Sequence, residues 1–557
     1  MANKQVDGTI SLAVLVDKEK KKVIFAESDG DLVDILFSFF TIPVGKIIRL
    51  SSDKSAVEIG CMNNLYKSVE SIDDEHFHST AFKKMLLSPR NNAESHCSKL
   101  KLKIDDQTTM YFGGCSSPTY CGLLSHYKGS LCRCGERMDY RLHISNSKSK
   151  TPSFSAKDGS VFVKGMSRFI ITDDLQVMPM STAASLSLLS KVGITDSSGI
   201  EQDVFSLGVD EVLNLLVCSL LSKTPLTETL LNHKPATELN AGNFDQGKPV
   251  EYQMEDQKNF LDGKIAIKLM VSKSKKKVCY AEAKKDFVNL LFSFLTIPLG
   301  HFMKQKYSSS LNGCIDHLYK SVQDLDEQCL KSNHHREMLV SPKLASGIGY
   351  ENDLLGIKEA PHPPYYFAHI RCNSYFTSDK HLIPSDNNTV ITELKVVDPK
   401  PHNEDGGGFI TGQAIFTVTD DLIIRPMSSI LDLSILNDLK IPFNDIEEQT
   451  VLVGKEEALS LLQTCFVSES ALTNTFIRNP KQCANEETKD NMYQKIEKNG
   501  DASLQQKLLC ANEETKDNMY QKIEKKEDAS LQQKPLWATE FFIAKLLSFI
   551  ARQFCFK

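Results

Sequence analysis

The chain repeats itself, and a repeat decides architecture before any single residue does. Lys22-Val-Ile-Phe-Ala-Glu27 returns as Lys277-Val-Cys-Tyr-Ala-Glu282. Asp31-Leu-Val-Asp-Ile-Leu-Phe-Ser-Phe-Phe-Thr-Ile-Pro-Val-Gly45 returns without a gap as Asp286-Phe-Val-Asn-Leu-Leu-Phe-Ser-Phe-Leu-Thr-Ile-Pro-Leu-Gly300. Further on, Leu65-Tyr-Lys-Ser-Val69 answers to Leu318-Tyr-Lys-Ser-Val322, and Ser88-Pro89 to Ser341-Pro342. Thr172-Asp-Asp-Leu175 with Pro179-Met-Ser181 answers to Thr419-Asp-Asp-Leu422 with Pro426-Met-Ser428. The order is kept throughout. Two homologous tandem modules account for it, at 1–231 and 257–478, with a polar linker at 232–256.

Within a module the pattern changes from strand to helix. Thr9-Ile-Ser-Leu-Ala-Val-Leu-Val16 alternates, a charged turn follows, and Val23, Ile24 and Phe25 form a second apolar run, which predicts a β-hairpin. Leu32, Ile35, Leu36 and Phe39 then recur at helical spacing, with Ser28 as the expected cap. Thr41-Ile-Pro43 ends the helix because proline cannot continue its hydrogen-bond ladder. Around each Asp-Asp pair, two short strands joined by a tight turn are expected. Closing helices are read at Val212, Leu213, Leu216 and Leu220, and at Ala458, Leu459, Leu462 and Phe466. The fold class is therefore α+β, each module holding a β-hairpin, helices and a further small sheet.

After 478 the character changes. Cys483 to Lys507 and Cys510 to Lys534 are nearly the same polar segment, too poor in large apolar residues to build a core, and 479–534 reads as a duplicated spacer. The last stretch, 535–557, reads as an amphipathic helix carrying Phe541, Phe542, Ile543, Leu546, Leu547, Phe549, Ile550 and Phe554. Burying eight such side chains is worth roughly 12 to 24 kcal/mol as an upper bound, so Trp537 to Phe556 is expected to dock on a protein partner or lie on a membrane surface. A bilayer span is the weaker alternative, since the stretch is short and would place Lys545 near the centre.

The charge balance, 65 basic against 71 acidic side chains, lacks the positive excess that phosphate-backbone binding needs, so no nucleic-acid partner is expected. Met1 to Gly8 carries no apolar signal core, and the expected location is intracellular, in the cytoplasm. In such a reducing setting the 15 cysteines are buried thiols or metal ligands. Cys115, Cys121, Cys132 and Cys134 stand out. They offer four thiolates from two short segments, the donor set of a closed structural zinc site, although their spacing departs from the usual pairs and core thiols are the plainer alternative. His126 or His143 could replace one of them.

Other candidates carry less. His76-Phe-His78 and His334-His335 read as helix starts beside acids. The carboxylates of Asp173, Asp174, Asp420 and Asp421 are raw material for acid/base chemistry, but a structural turn is the stronger reading. Gly406-Gly-Gly408 reads as an approach to a strand. No nucleophile elbow, zinc-protease helix, Walker loop or dinucleotide fingerprint occurs.

As a set, Thr-Ile-Pro-x-Gly, Cys132-Arg-Cys-Gly-Glu-Arg-Met138, Phe162-Val-Lys-Gly165, Thr172-Asp-Asp-Leu175 with Pro179-Met-Ser181, and Leu226-Thr-Glu-Thr-Leu-Leu231 resemble the plant domain-of-unknown-function 674 family. The resemblance covers both modules and implies no established reaction or catalytic residue. The second module departs from it where the cysteine motif should stand, keeping only Cys372 with His369 nearby. The functional expectation is a non-enzymatic scaffold or binding protein with structural zinc in its first module. The alternative is an enzyme with its site between the modules.

Overall fold

The computed structural model describes residues 8–478 apart from 53–58, 106–109, 114–120, 133, 144–159, 166, 233–263, 305–312, 349–353, 363, 371–372, 385–388, 397–407 and 413. The chain divides into two units, Met1–Gln482 and Cys483–Lys557, and every described element belongs to the first. Most of the linker, the duplicated spacer, the C-terminal segment, Cys115 and Cys372 lie outside the described residues.

The opening hairpin is present, strand Ile10–Asp17 pairing antiparallel with Lys22–Ser28. Ile10, Leu12, Val14 and Val16 all point into the core, as strict alternation demands. The α+β class holds, but the Thr-Asp-Asp-Leu hairpin, strands Phe169–Thr172 and Val177–Pro179, makes no separate small sheet. It extends the first hairpin, because Phe25 to Ser28 pair with Thr172 to Phe169. Strand Ile200–Leu207 closes the other edge. This N sheet therefore runs, edge to edge, Ile200–Leu207, Ile10–Asp17, Lys22–Ser28, Phe169–Thr172, Val177–Pro179. A C sheet has the same order: Ile446–Val453, Ile265–Ser272, Lys277–Ala283, Phe416–Thr419, Ile424–Pro426. Each has one register shift at the matching place, Leu15/Val16 and Met270/Val271.

Helix Gly30–Ser38 follows the first hairpin. Its cap is Asp29, whose side chain accepts from the Asp31 N–H, and not Ser28, which is still paired in the strand with its side chain buried. Phe39–Thr41 tightens into a 3-10 turn before Pro43, as expected of the proline. The closing helices are Val209–Leu221 and Lys455–Val467.

The halves are interlocked. Helix Met62–Ser71 of the first half packs on helix Lys285–Ser293 and on the Ile424–Pro426 edge of the C sheet. Reciprocally, helix Ile315–Asp324 packs on Gly30–Ser38 and on the Val177–Pro179 edge of the N sheet. Backbone bonds cross in matched pairs: Val44 N–H to Ile297 C=O and Leu299 N–H to Ile42 C=O, both 3.0 Å, flank an antiparallel bridge between Pro43 and Pro298. Between the halves lies a shared sheet of six strands, three from 111–142 and three from 365–396, joined where Leu123 and Leu124 run parallel to Lys395 and Val396.

One buried carboxylate shows how segments are held. Asp34, in the helix after the hairpin, accepts from the backbone N–H groups of Val161, Phe162 and Val163. Burial pushes its pKa up to about 6 against the opposing pull of those donors. Its counterpart Asn289 accepts from Phe409 and Ile410 through one oxygen, at 2.9 and 3.0 Å. Gly408 leaves room for the amide there, since a Cβ on it would collide with the Asn289 Nδ2. The position therefore needs an acceptor more than a charge. Asp34→Ala, orphaning three buried N–H groups, should cost about 3 to 5 kcal/mol, and Asp34→Asn, which keeps an acceptor for two of them, about 1 to 2. Denaturant unfolding of the two variants checks this. Equal costs would mean that the charge, not the acceptor, matters.

Candidate metal centre

The strand pair Ser130–Leu131 and Arg137–Met138 is closed by Cys132-Arg-Cys-Gly-Glu136. Two backbone bonds fold the turn, Cys132 N–H to Glu136 C=O at 2.8 Å and Gly135 N–H to Cys132 C=O at 2.9 Å. Gly135 takes φ +85°, which a side chain would resist. The turn therefore presents Cys132 inward, packed with Phe112, Leu123 and Met138, and leaves Cys134 exposed. Cys121 approaches from the start of strand Leu123–Ser125 and packs on the same cluster.

The Sγ atoms of Cys121, Cys132 and Cys134 all lie within 4.8 Å of one another. Sulfurs 2.3 Å from a tetrahedral zinc stand about 3.8 Å apart, so a small closure would make these three a ligand set. Of the four cysteines singled out in the sequence, the structure brings these three together, and Cys115 lies outside the described residues. Neither His126 nor His143 joins the group. In the second half, His369 is exposed and bonded to Ser374 Oγ at 3.1 Å.

The position of the cluster matters. Gly122, next to Cys121, accepts from the Lys395 N–H at 2.8 Å, and Leu123 pairs with Lys395. The three thiols thus stand beside the seam where the two halves share a sheet.

The acids are otherwise engaged. Asp173 accepts from Thr227 N–H and Thr227 Oγ1, both at 2.8 Å, and Asp420 accepts from Thr473 N–H and Oγ1 at 2.7 and 2.9 Å. Burial pushes Asp173 up to about 6 and raises Asp420, with the threonine donors and then Lys22 or Lys277 opposing. Each fastens the motif after a closing helix, Leu226-Thr or Leu472-Thr, to its own sheet, since Thr227 and Thr473 in turn accept from Val23 and Val278. Asp174 and Asp421 reach the other half, at His317 Nδ1 2.9 Å away and at Asn64 Nδ2 3.2 Å away. The pairs act as turn anchors.

The histidine pairs divide. Asp74–His76 is a single 3-10 turn with its acids exposed, and Ser332 caps helix Asn333–Val340 by accepting from the His335 N–H. Sequence reasoning missed that His335 meets His96 across the halves, ring centroids 5.5 Å apart, beside Phe162. It also considered His126 only as a substitute metal ligand and did not connect it with the buried side chains of Arg90 and Tyr127. No local pattern marks either group, because the contributing segments are distant in the chain.

Among the described residues no helix is long and apolar enough to cross a membrane. No curated protein and no solved structure matches the chain. The family described as "Protein of unknown function (DUF674)" matches residues 7–456, most of the sequence and all but the last described elements. The chain belongs to that family.

Proposed function

We propose that this protein is a non-enzymatic scaffold or binding protein, built of two tandem copies of one module and fastened by a structural zinc ion. Cys121, Cys132 and Cys134, with Cys115 as the fourth ligand, would hold the metal. The observation that carries this reading is the convergence of three thiol sulfurs within 4.8 Å beside the seam of the shared sheet. Bound there, zinc would cross-link the Cys132–Glu136 turn to the strand that pairs with the second half. A closed four-sulfur set leaves no open position for a substrate, so its contribution is to folding.

Two further observations support a binding role. The oxygens of Asp173 and Asp420 are committed to Thr227 and Thr473. Large apolar side chains stand in water on helix Ser429–Asp438 and next to it, Ile430 at 82%, Leu433 at 49% and Phe443 at 61% of full exposure, which suits a surface that meets a partner.

Metal analysis of the purified full chain should find about one zinc per molecule, and the Cys132→Ser/Cys134→Ser variant should lose it together with part of its thermal stability. A metal-free wild-type chain would overturn the zinc reading.

A further inference from the structure

Away from the thiols, a group of buried polar atoms has no hydrogen-bond partner among the described residues: Nε and Nη1 of Arg90, both ring nitrogens of His126, and the Tyr127 hydroxyl. His126 and Tyr127 are 7% and 9% exposed. The Met110 backbone approaches the His126 ring and the Arg90 backbone approaches the Tyr127 hydroxyl, but neither closes a bond of ordinary geometry. Arg90 meets one acid at long range, its Nη2 lying 3.9 Å from Glu94 Oε2. Leaving such donors dry and unpaired is expensive, and folded chains rarely do it without a water or ligand to take them.

Their surroundings are aromatic. His126 follows strand Leu123–Ser125 and sits against Tyr111 and Tyr365 of the shared sheet, ring centroids 5.1 and 6.2 Å away. Tyr111, Tyr365 and Phe376 pack on one another with centroids 5.1 to 5.6 Å apart. Tyr111 and His126 come from the first half, Tyr365 and Phe376 from the second.

We propose that Arg90, His126 and Tyr127 form a buried receptor for a small oxyanion, a carboxylate or a phosphate, walled by the aromatic side chains of the shared sheet. A guanidinium with open donors, a phenol hydroxyl and an imidazole supply the directed N–H and O–H groups that carboxylate or phosphate oxygens accept. Burial, and then the Arg90 charge, holds the His126 pKa well below its ordinary value, so the ring is neutral and donates from one nitrogen. Burial pushes the Tyr127 hydroxyl up to about 12 and keeps its proton available to donate. The nearby charges that bear on the site are Arg90, Glu94 and His362.

The test uses the full chain, titrated calorimetrically with sodium phosphate and separately with sodium malonate, against chloride at matched ionic strength. Saturable binding of one of them is expected, and which one binds identifies the anion class. Tyr127→Phe removes one hydroxyl and no volume. Because that hydroxyl is unpartnered without ligand, the anion-free thermal midpoint should stay or rise while binding weakens about tenfold. Arg90→Lys, which keeps the charge and loses the planar fork, should weaken binding as well. Two results would overturn the proposal: neither anion binding saturably, or Tyr127→Phe lowering the anion-free midpoint with binding unchanged.

Discussion

Neither 8–232 nor 264–478, expressed alone as a monomer, should fold; co-expressed, the two should recover a one-to-one complex with a single cooperative unfolding transition. The reason lies in the bonds that cross between them. Cys61 N–H donates to Cys465 C=O at 2.8 Å and Cys314 N–H to Ser219 C=O at 2.9 Å. Lys164 N–H donates to Cys329 C=O at 2.8 Å and Lys331 N–H to Phe162 C=O at 2.9 Å. His78 N–H donates to Phe409 C=O at 3.1 Å and Thr411 N–H to His76 C=O at 2.9 Å. Val177 and Ile424 add two more, each donating at 2.9 Å to a serine hydroxyl of the opposite half, Ser321 and Ser68. In an isolated half these groups would exchange each other for water, a net loss of about 0.5 to 1.5 kcal/mol per bond. Over the whole set that takes up much of the roughly 5 to 15 kcal/mol by which a domain is stable. The apolar faces of helices Met62–Ser71 and Ile315–Asp324 would be stripped as well. Size-exclusion chromatography and thermal melts of the separate halves decide the matter, and a monomeric half with a cooperative transition would refute the interlocked account.

What the sequence made legible was local. Strict alternation from Thr9 to Val16 and the spacing of Leu32, Ile35 and Leu36 report burial of one face, and burial follows from period whatever covers that face. The Asp-Asp turns were legible because a short Thr-Asp-Asp-Leu loop joins adjacent strands, with Leu175 and Leu422 at φ +60° and +63°. The identity of the covering element was not legible. The apolar stripe of Met62–Ser71 reads the same whether it meets its own sheet or the opposite one. Thr-Ile-Pro-x-Gly looked like a helix terminator, and the proline does end a helix, but the motif is also the joint between halves. A Cβ on Gly45 would press on the carbonyl oxygens of Leu295 and Leu86, both at 3.0 Å. The shared sheet escaped notice because its strands in 111–142 are only three residues long, too short for a period to show. The cysteine cluster was the exception, since reactive residue types announce themselves without periodicity. The donors at Arg90, His126 and Tyr127 become a set only after folding.

Gly313→Ala should be among the most damaging single substitutions in the chain, with Gly60→Ala close behind. Both glycines precede a helix that crosses to the other half, and both rest on the C-terminal turns of the opposing closing helix. A Cβ on Gly313 would lie inside contact distance of the Ser219 carbonyl oxygen and the Leu220 carbonyl group. One on Gly60 would meet the carbonyl oxygen of Cys465 and the Phe466 carbonyl carbon, 2.8 Å away, and Gly60 also takes φ +48°. These neighbours are helix backbone, which cannot rotate aside as a side chain would, and moving them would strain the Cys314 to Ser219 and Cys61 to Cys465 bonds made at the same points. Each substitution should therefore cost at or above the roughly 3 kcal/mol upper end of ordinary overpacking. Gly199→Ala is the matched control, with open space around its Cβ and no positive φ, and it should be neutral or stabilise by about 0.4 to 1 kcal/mol. Denaturant melts of the three variants distinguish close approach from any general cost of losing a glycine. If Gly313→Ala proved as mild as Gly199→Ala, the two halves would not meet at these helix starts, and the reciprocal packing of Met62–Ser71 and Ile315–Asp324 would have to be abandoned.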